Sequence, residues 1–328
     1  MTTSALTLAE LRAAADRISS EAIVTPVVSD PTLDALVGAT VHFKVEAAQR
    51  AGSFKFRGAF HRLSTIPEAD RARGVVAVSS GNHGAAMACA AQILDITAVV
   101  LIPEDAPSAK RALMEEFGAE IITFNRATDD REALAMKRVQ ETGATFVHPF
   151  DDRGVMVGQG TAALELHDQV GDLDLLLVPT SGGGLLAGCA SAMNALSPGC
   201  SMVGVEPEVG DDTQQSFEAG RVVKIEQPKT IADGLAVTSP GSNTFAINRH
   251  LVDRIETVSE RQIILAMKAL HETLGLVIEP SGAVGLAVLM AEAERAPSTG
   301  QYLNRKVGVI LSGGNIDPAY HRQLIESL

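Results

Sequence analysis

The sequence predicts an α/β fold with two open twisted sheets of parallel type, flanked by helices. Three observations predict it. Short β-branched runs alternate with segments of helical period along almost all of the 328 residues. Three of those runs end in loops rich in glycine and small hydroxyl residues. Hydrophobic residues make up 46% of the chain and charged residues 20%, enough apolar side chains for strands buried on both faces.

In chain order the strands fall at 40–46 (TVHFKVE), 74–79 (GVVAVS), 97–102 (TAVVLI), 120–124 (EIITF), 144–148 (ATFVH), 173–178 (LDLLLV), 202–206 (MVGVE) and 306–311 (KVGVIL). Helices are expected between them at 84–94, 108–117, 129–142, 156–169, 184–196 and 260–274. Pro107-Ser108 marks one helix start, and Ser259 with Gln262 makes a capping box at another. Such alternation calls for right-handed crossovers between parallel strands. Compact strand–helix units fill 68–150, which reads as a small inserted α/β domain. Residues 1–67 and 151–328 then make the large domain.

Charge and cysteine content narrow the function. A formal net charge of −13 repels phosphate backbones and anionic lipid, so neither nucleic acid nor a membrane surface is an expected partner. Cys89, Cys189 and Cys200 form no C-x-x-C pair and no disulfide framework. They read as small core residues in a reducing compartment. The N-terminal stretch has no apolar signal core, and no apolar run is long enough to cross a bilayer. A soluble cytoplasmic protein is the expectation.

The three loops are VSSGNHG (78–84), TSGGGLLAG (180–188) and LSGGN (311–315). In an open parallel sheet, ligands sit beyond the carboxyl ends of the strands. Glycines there expose backbone N–H groups, and a following helix N-terminus favours an anion. The site should therefore hold a phosphate, a carboxylate or both. A P-loop is excluded, since no G-x-x-x-x-G-K-[ST] occurs. A dinucleotide site at 182–206, closed by Glu206, is a rival, but its spacing is G-x-G-x-x-x-G. That rival also leaves Lys55 unexplained. In GSFKFRGA (52–59) the lysine stands between Phe54 and Phe56, which can desolvate its amine and lower its pKa. Pyridoxal phosphate needs such an amine, a phosphate cradle, a partner for its ring nitrogen and a seat for the substrate carboxylate.

AGSFKFRGA, SSGNHGAA, GQGT (158–161), SGGGLLAG, TIADG (230–234), IEPSGA (278–283) and LSGGN follow one another along the chain. In this order they resemble the fold type II pyridoxal-phosphate enzymes, of tryptophan synthase beta-like architecture. Within these the resemblance is to the serine/threonine dehydratase and serine racemase group, including 3-hydroxyaspartate dehydratases. It runs from Thr25-Pro26 to Asp317, and a C-terminal regulatory domain of the kind found in longer threonine deaminases is not expected. The resemblance implies that Lys55 forms the Schiff base and Phe54 packs on the pyridine face. It implies that Asn82 meets the ring oxygen, while Gly182, Gly183, Gly184 and Leu185 cradle the phosphate. Ser312 would face the ring nitrogen, with Gly234 and Glu279 along the ring edge. Ser80 would be a second acid/base opposite Lys55. Ser79, Ser80, Asn82 and His83 would receive the substrate, and Arg131 lies where racemase-like members carry an arginine near the site mouth.

A neutral serine at the ring nitrogen leaves that nitrogen unprotonated and the ring a weaker electron sink, which favours loss of a β-hydroxyl with the α-proton. The expected activity is dehydration of 3-hydroxyaspartate or serine, then threonine, to a 2-oxo acid and ammonia. A serine or aspartate racemase on the same scaffold is the near alternative. An NAD-dependent oxidoreductase and a non-catalytic metabolite-binding protein are the distant ones. In VEPEVGDD (205–212), Glu206, the Gly210 carbonyl and Asp212 resemble the divalent-cation site of the racemase-like branch, suited to Mg²⁺, Mn²⁺ or Ca²⁺. A homodimer is also implied.

Several residues keep two readings. His83 is a substrate ligand or a helix-start histidine whose backbone matters more. Arg131 is a solvated helix arginine or, if it reaches the site, a partner for a second substrate carboxylate. Arg57 reads as a structural cation paired with an acidic neighbour, and His148 as a strand-end core residue. Phe150 stands where the animal serine racemases carry asparagine, and Ala47 where many relatives carry asparagine or leucine.

Overall fold

A computed structural model describes residues 5–106, 108–125 and 128–328, so the expected helix start at Pro107 lies outside the described residues. The strands in chain order are β1 (Val27–Val28), β2 (Thr40–Val45), β3 (Val75–Val78), β4 (Ala98–Pro103), β5 (Glu120–Phe124), β6 (Thr145–Phe146), β7 (Leu175–Pro179), β8 (Ser201–Pro207), β9 (Arg254–Val258) and β10 (Lys306–Leu311). Among the described residues they form a six-stranded sheet, β1-β2-β10-β7-β8-β9, and a four-stranded sheet, β5-β4-β3-β6. Every pairing is parallel except β1 with β2. All eight strands expected from sequence are present, and β1 and β9 are additional.

Period-2 alternation explains the continuous apolar runs. Leu175, Leu177, Val307 and Val309 face one core of the large sheet, while Leu176, Val178 and Ile310 face the other. In the small sheet Val75 and Ala77 face one cluster and Val76 the opposite one. Each fully buried Val or Leu contributes about 1.5–3 kcal/mol. The Ser259 capping box forms as expected at the Glu260–Leu274 helix. The three cysteines are free and buried. No helix among the described residues is long and apolar enough to cross a membrane.

Strand order places the site. β2, β10, β7 and β8 are successive neighbours and mutually parallel, so their carboxyl ends share one edge. The segments leaving β2, β10 and β7 at that edge carry Lys55, Ser312 and Gly182–Gly184, and Glu206 stands at the carboxyl end of β8 itself. β3 and β6 are neighbours in the small sheet, and the segments after them carry Ser79–His83 and Val147–Phe150.

Candidate active site

Lys55 opens the Lys55–Ser64 helix, and the turn before it is stitched to the loop after β10. Ser53 bridges Gly313, the Phe54 N–H donates to the Ser312 carbonyl at 3.0 Å, and the Gly314 N–H donates to the Gly52 carbonyl at 3.0 Å. Lys55 therefore starts beside Ser312. Its Nζ lies 5.1 Å from the Phe54 ring centroid and donates to the Pro149 carbonyl at 2.9 Å. Burial brings the ammonium pKa down to about 8, against the opposing pull of the Glu279 carboxylate. An amine titrating there is neutral far more often at physiological pH than a surface lysine.

The glycine loop after β7 is shaped as an anion seat. Gly183 has φ +88°, a left-handed conformation that a side chain would strain. The Gly182 and Gly183 carbonyls are held by the Thr244 hydroxyl at 2.6 Å and the Asn248 amide at 3.1 Å. The Gly184–Leu196 helix that follows has no side-chain cap, which leaves its first N–H groups, those of Gly184 and Leu185, for a ligand. A Cβ on Gly182 would collide with the Phe150 ring, so the aromatic that replaces the expected asparagine closes one side of this loop.

A polar chain ties the turn before Lys55 to the loop after β10 and the start of the Asn82–Ile93 helix. The Asn82 amide donates to Glu279 at 2.7 Å and accepts from Asn315 at 2.8 Å, and Asn315 also donates to the Ala51 carbonyl at 2.7 Å. The Glu279 N–H donates to the Gly313 carbonyl at 3.1 Å. The Gly234 N–H donates to the Ser281 hydroxyl at 3.0 Å. Ser312 is buried at the end of β10 and offers a neutral hydroxyl.

The loop after β3 brings Ser79 and Ser80, both half-buried, to the start of the Asn82–Ile93 helix, which also lacks a side-chain cap. His83 is buried, and its Nε2 faces the Val147 carbonyl at 3.3 Å. A carbonyl only accepts, so Nε2 carries the proton. Burial and the nearby Lys55 push the ring pKa down to about 3, which leaves His83 neutral and its unpartnered Nδ1 an acceptor. The ring offers a carboxylate no donor, whereas the helix-start backbone does. Arg131 is exposed at the first turn of the Arg131–Thr142 helix.

At the next strand along the edge, Glu206 and Asp212 are both fully buried. Glu206 accepts from the Gln214 N–H at 2.7 Å and the Thr213 N–H at 3.3 Å, whereas neither oxygen of Asp212 has a partner. Burial first, then the Asp212 charge, pushes Glu206 up to about 9; burial pushes Asp212 up to about 7. Gly210 lies between them in sequence and is buried at the end of the Glu208–Gly210 turn. Among the described residues no third His, Cys, Asp or Glu joins them. The Thr213 hydroxyl donates to the Ser181 carbonyl at 3.1 Å, which ties this cluster to the glycine loop.

Residues 18–313 match the family described as pyridoxal-phosphate dependent enzyme. This chain belongs to that family. It is 45% identical over 312 residues to L-threo-3-hydroxyaspartate ammonia-lyase of Saccharomyces cerevisiae, covering 95% of this chain and 94% of that one. It is 43% identical to serine racemase of Schizosaccharomyces pombe, with 94% of each chain covered. The solved structure of maize serine racemase superposes with a TM-score of 0.93 at 37% identity, over 99% of this chain and 98% of that one. The nicotinamide alternative gives way to this membership. The residues present fit the cofactor of a pyridoxal-phosphate dependent enzyme, with a partly neutral amine, an uncapped helix start and a neutral hydroxyl side by side. Asn315, Pro149, Thr244 and Asn248, which hydrogen-bond Asn82, Lys55, Gly182 and Gly183, were not singled out from sequence. Asn315 alone had a signal, as the last residue of LSGGN.

Proposed function

We propose that the protein is an ammonia-lyase acting on a small β-hydroxy amino acid, 3-hydroxyaspartate first, then serine and threonine. The observation that carries it is the half-buried Lys55 amine, which three adjacent strand ends bring together with a neutral serine and an anion seat. The L-threo-3-hydroxyaspartate ammonia-lyases among its relatives support the substrate class.

Gly182, Gly183, Gly184 and Leu185 would hold the cofactor phosphate, Lys55 its carbonyl carbon, and Phe54, Asn82, Gly234, Glu279 and Ser312 its ring. When bound, pyridoxal phosphate supplies the carbonyl that takes up the substrate amine and the ring that acidifies its α-hydrogen. Lys55 would take the α-proton of the substrate at Nζ. The backbone N–H groups opening the Asn82–Ile93 helix, with Ser79, seat the substrate carboxylate. Phe54 and Phe150 keep water from the amine. Loss of the α-proton and the β-hydroxide leaves an enamine, which takes up water and ends as a 2-oxo acid and ammonia. Racemisation is a second reading, in which Ser80, half-buried on the loop after β3, would return a proton to the face opposite Lys55.

Glu206, the Gly210 carbonyl and Asp212 would bind Mg²⁺, Mn²⁺ or Ca²⁺; the two unpartnered, buried oxygens of Asp212 support this. Residues 68–150 would form the small domain, inserted between the two parts (1–67 and 151–328) of the large cofactor-binding domain. A cytoplasmic homodimer belongs to the same reading, supported by three free, buried cysteines and the pair Ile23 and Val24, 43% and 67% exposed. The test is the visible spectrum of the purified protein before and after borohydride, with the reduced adduct mapped by mass spectrometry and 2-oxo acid release assayed on hydroxyaspartate isomers. An adduct away from Lys55, or no 2-oxo acid from any isomer, refutes the assignment.

A further inference from the structure

Residues 147–151 run past both Lys55 and His83. The Val147 carbonyl takes His83, and the Pro149 carbonyl takes Lys55. His148 lies between these two contacts. Its Nδ1 accepts from the Asp151 N–H at 2.8 Å and, more weakly, from the Phe150 N–H at 3.4 Å. Those bonds fix the tautomer, so the proton of the neutral ring sits on Nε2, for which the described residues provide no acceptor. The ring is also fixed in angle, standing edge-on to Phe150 with centroids 4.5 Å apart and planes at 89°. Phe150 in turn covers the glycine loop.

We infer that His148 is a specificity-determining residue, whose fixed Nε2–H donates to a carboxylate on the β-carbon of the substrate. The choice of substrate class rests on the lyase reading above. Four charged groups face the ring: Asp151, Glu132, Lys55 and Asp152. Two of the three carboxylates are engaged elsewhere. Asp151 accepts from the Asn243 and Thr244 N–H groups at 2.8 and 3.0 Å, and Asp152 pairs with Arg62 at 2.9 Å and caps Val155. Glu132 remains, next to the exposed Arg131. Burial lowers the imidazole pKa, with Lys55 acting the same way, which keeps the ring neutral. A protonated ring would turn Nδ1–H against the Asp151 N–H, so the donor works only from the neutral form.

The test is calorimetric titration of the holoenzyme with L-aspartate and L-alanine, which differ by the side-chain carboxylate and cannot lose a β-hydroxyl. Wild type should bind aspartate at least roughly tenfold tighter, the value of a hydrogen bond to a charged group. His148→Asn keeps an acceptor at the Nδ1 position and removes the Nε2 donor, so it should bring the two affinities within about threefold of each other. His148→Gln retains an N–H near Nε2 and should keep part of the preference. Equal binding of both ligands by wild type, or an undiminished preference in His148→Asn, overturns the inference; if His148→Asn fails to fold, loss of part of the preference in His148→Gln carries the test, and an unchanged preference there overturns it. Failure of wild type to release a 2-oxo acid from hydroxyaspartate would remove the lyase reading and leave this binding result standing.

Discussion

Arg57 and Glu46 meet at 2.8 Å with both side chains fully buried, on the helix that Lys55 opens and the turn that leaves β2. The same guanidinium reaches Glu165 at 2.6 Å, and Glu165 also takes Lys44 at 2.7 Å. Two cations and two carboxylates thus join the lysine helix, β2 and the Arg153–Val170 helix. Removing one partner leaves uncompensated buried charge. Arg57→Met should therefore lower stability by about 3–5 kcal/mol in equilibrium urea unfolding. A loss below about 1 kcal/mol, the scale of an exposed pair, would show that water screens the cluster.

The depressed Lys55 pKa predicts how the apoprotein takes up its cofactor. The value moves from 10.5 to about 8 because burial disfavours the ammonium, so the neutral, reactive amine gains on the charged one at lower pH than usual. Uptake followed by stopped-flow absorbance should rise roughly tenfold per pH unit below the folded pKa and level off above it. A rate that keeps climbing to the ordinary lysine range would mean the amine is not desolvated. Lys55→Ala should lose turnover by on the order of 10³-fold or more, since nucleophile and proton acceptor go together.

Legibility followed the range of the interactions. The lysine between phenylalanines, the glycine loops and the alternation were local, and each could be read directly. β9 was not, because RIETV is a sheet-edge strand with only Ile255 and Val258 buried, and its period is blurred. β1 is two residues long and exists through its pairing with β2. The Pro149 carbonyl that holds Lys55 lies 94 residues from it, which no local pattern announces. His83 was legible as a residue near the site, but the polarity of its ring depends on the Val147 carbonyl, 64 residues away.

Phe150 and the glycine loop should behave as one unit. A methyl group on Gly182 enters the space of the Phe150 ring, so Gly182→Ala should lose about 1–3 kcal/mol by overpacking and hold the cofactor less firmly on dialysis. Phe150→Ala should be destabilising alone, yet it removes the obstacle, so the double variant should be less damaged than the two single losses summed. Strict additivity would show that the loop yields and that the aromatic is not what requires glycine there.

The buried acidic pair predicts a cation response. Both Asp212 oxygens lack partners, and the Asp212 charge disfavours ionisation of Glu206, so a divalent ion would relieve an unpaired charge and two unmet acceptors at once. Mg²⁺ at about a hundredfold over its dissociation constant should stabilise the wild type by about 2.7 kcal/mol, read as a rise in Tm. Asp212→Asn should abolish that rise, and because the amide no longer repels Glu206, it should leave the metal-free protein at least as stable as wild type. The two results separate a cation site from a solvated turn: a turn would give no Mg²⁺ response in either protein. A response retained in the variant would place the ion elsewhere. Since the Thr213 hydroxyl links this cluster to the Ser181 carbonyl at the start of the glycine loop, the ion should also tighten cofactor retention in wild type and not in Asp212→Asn.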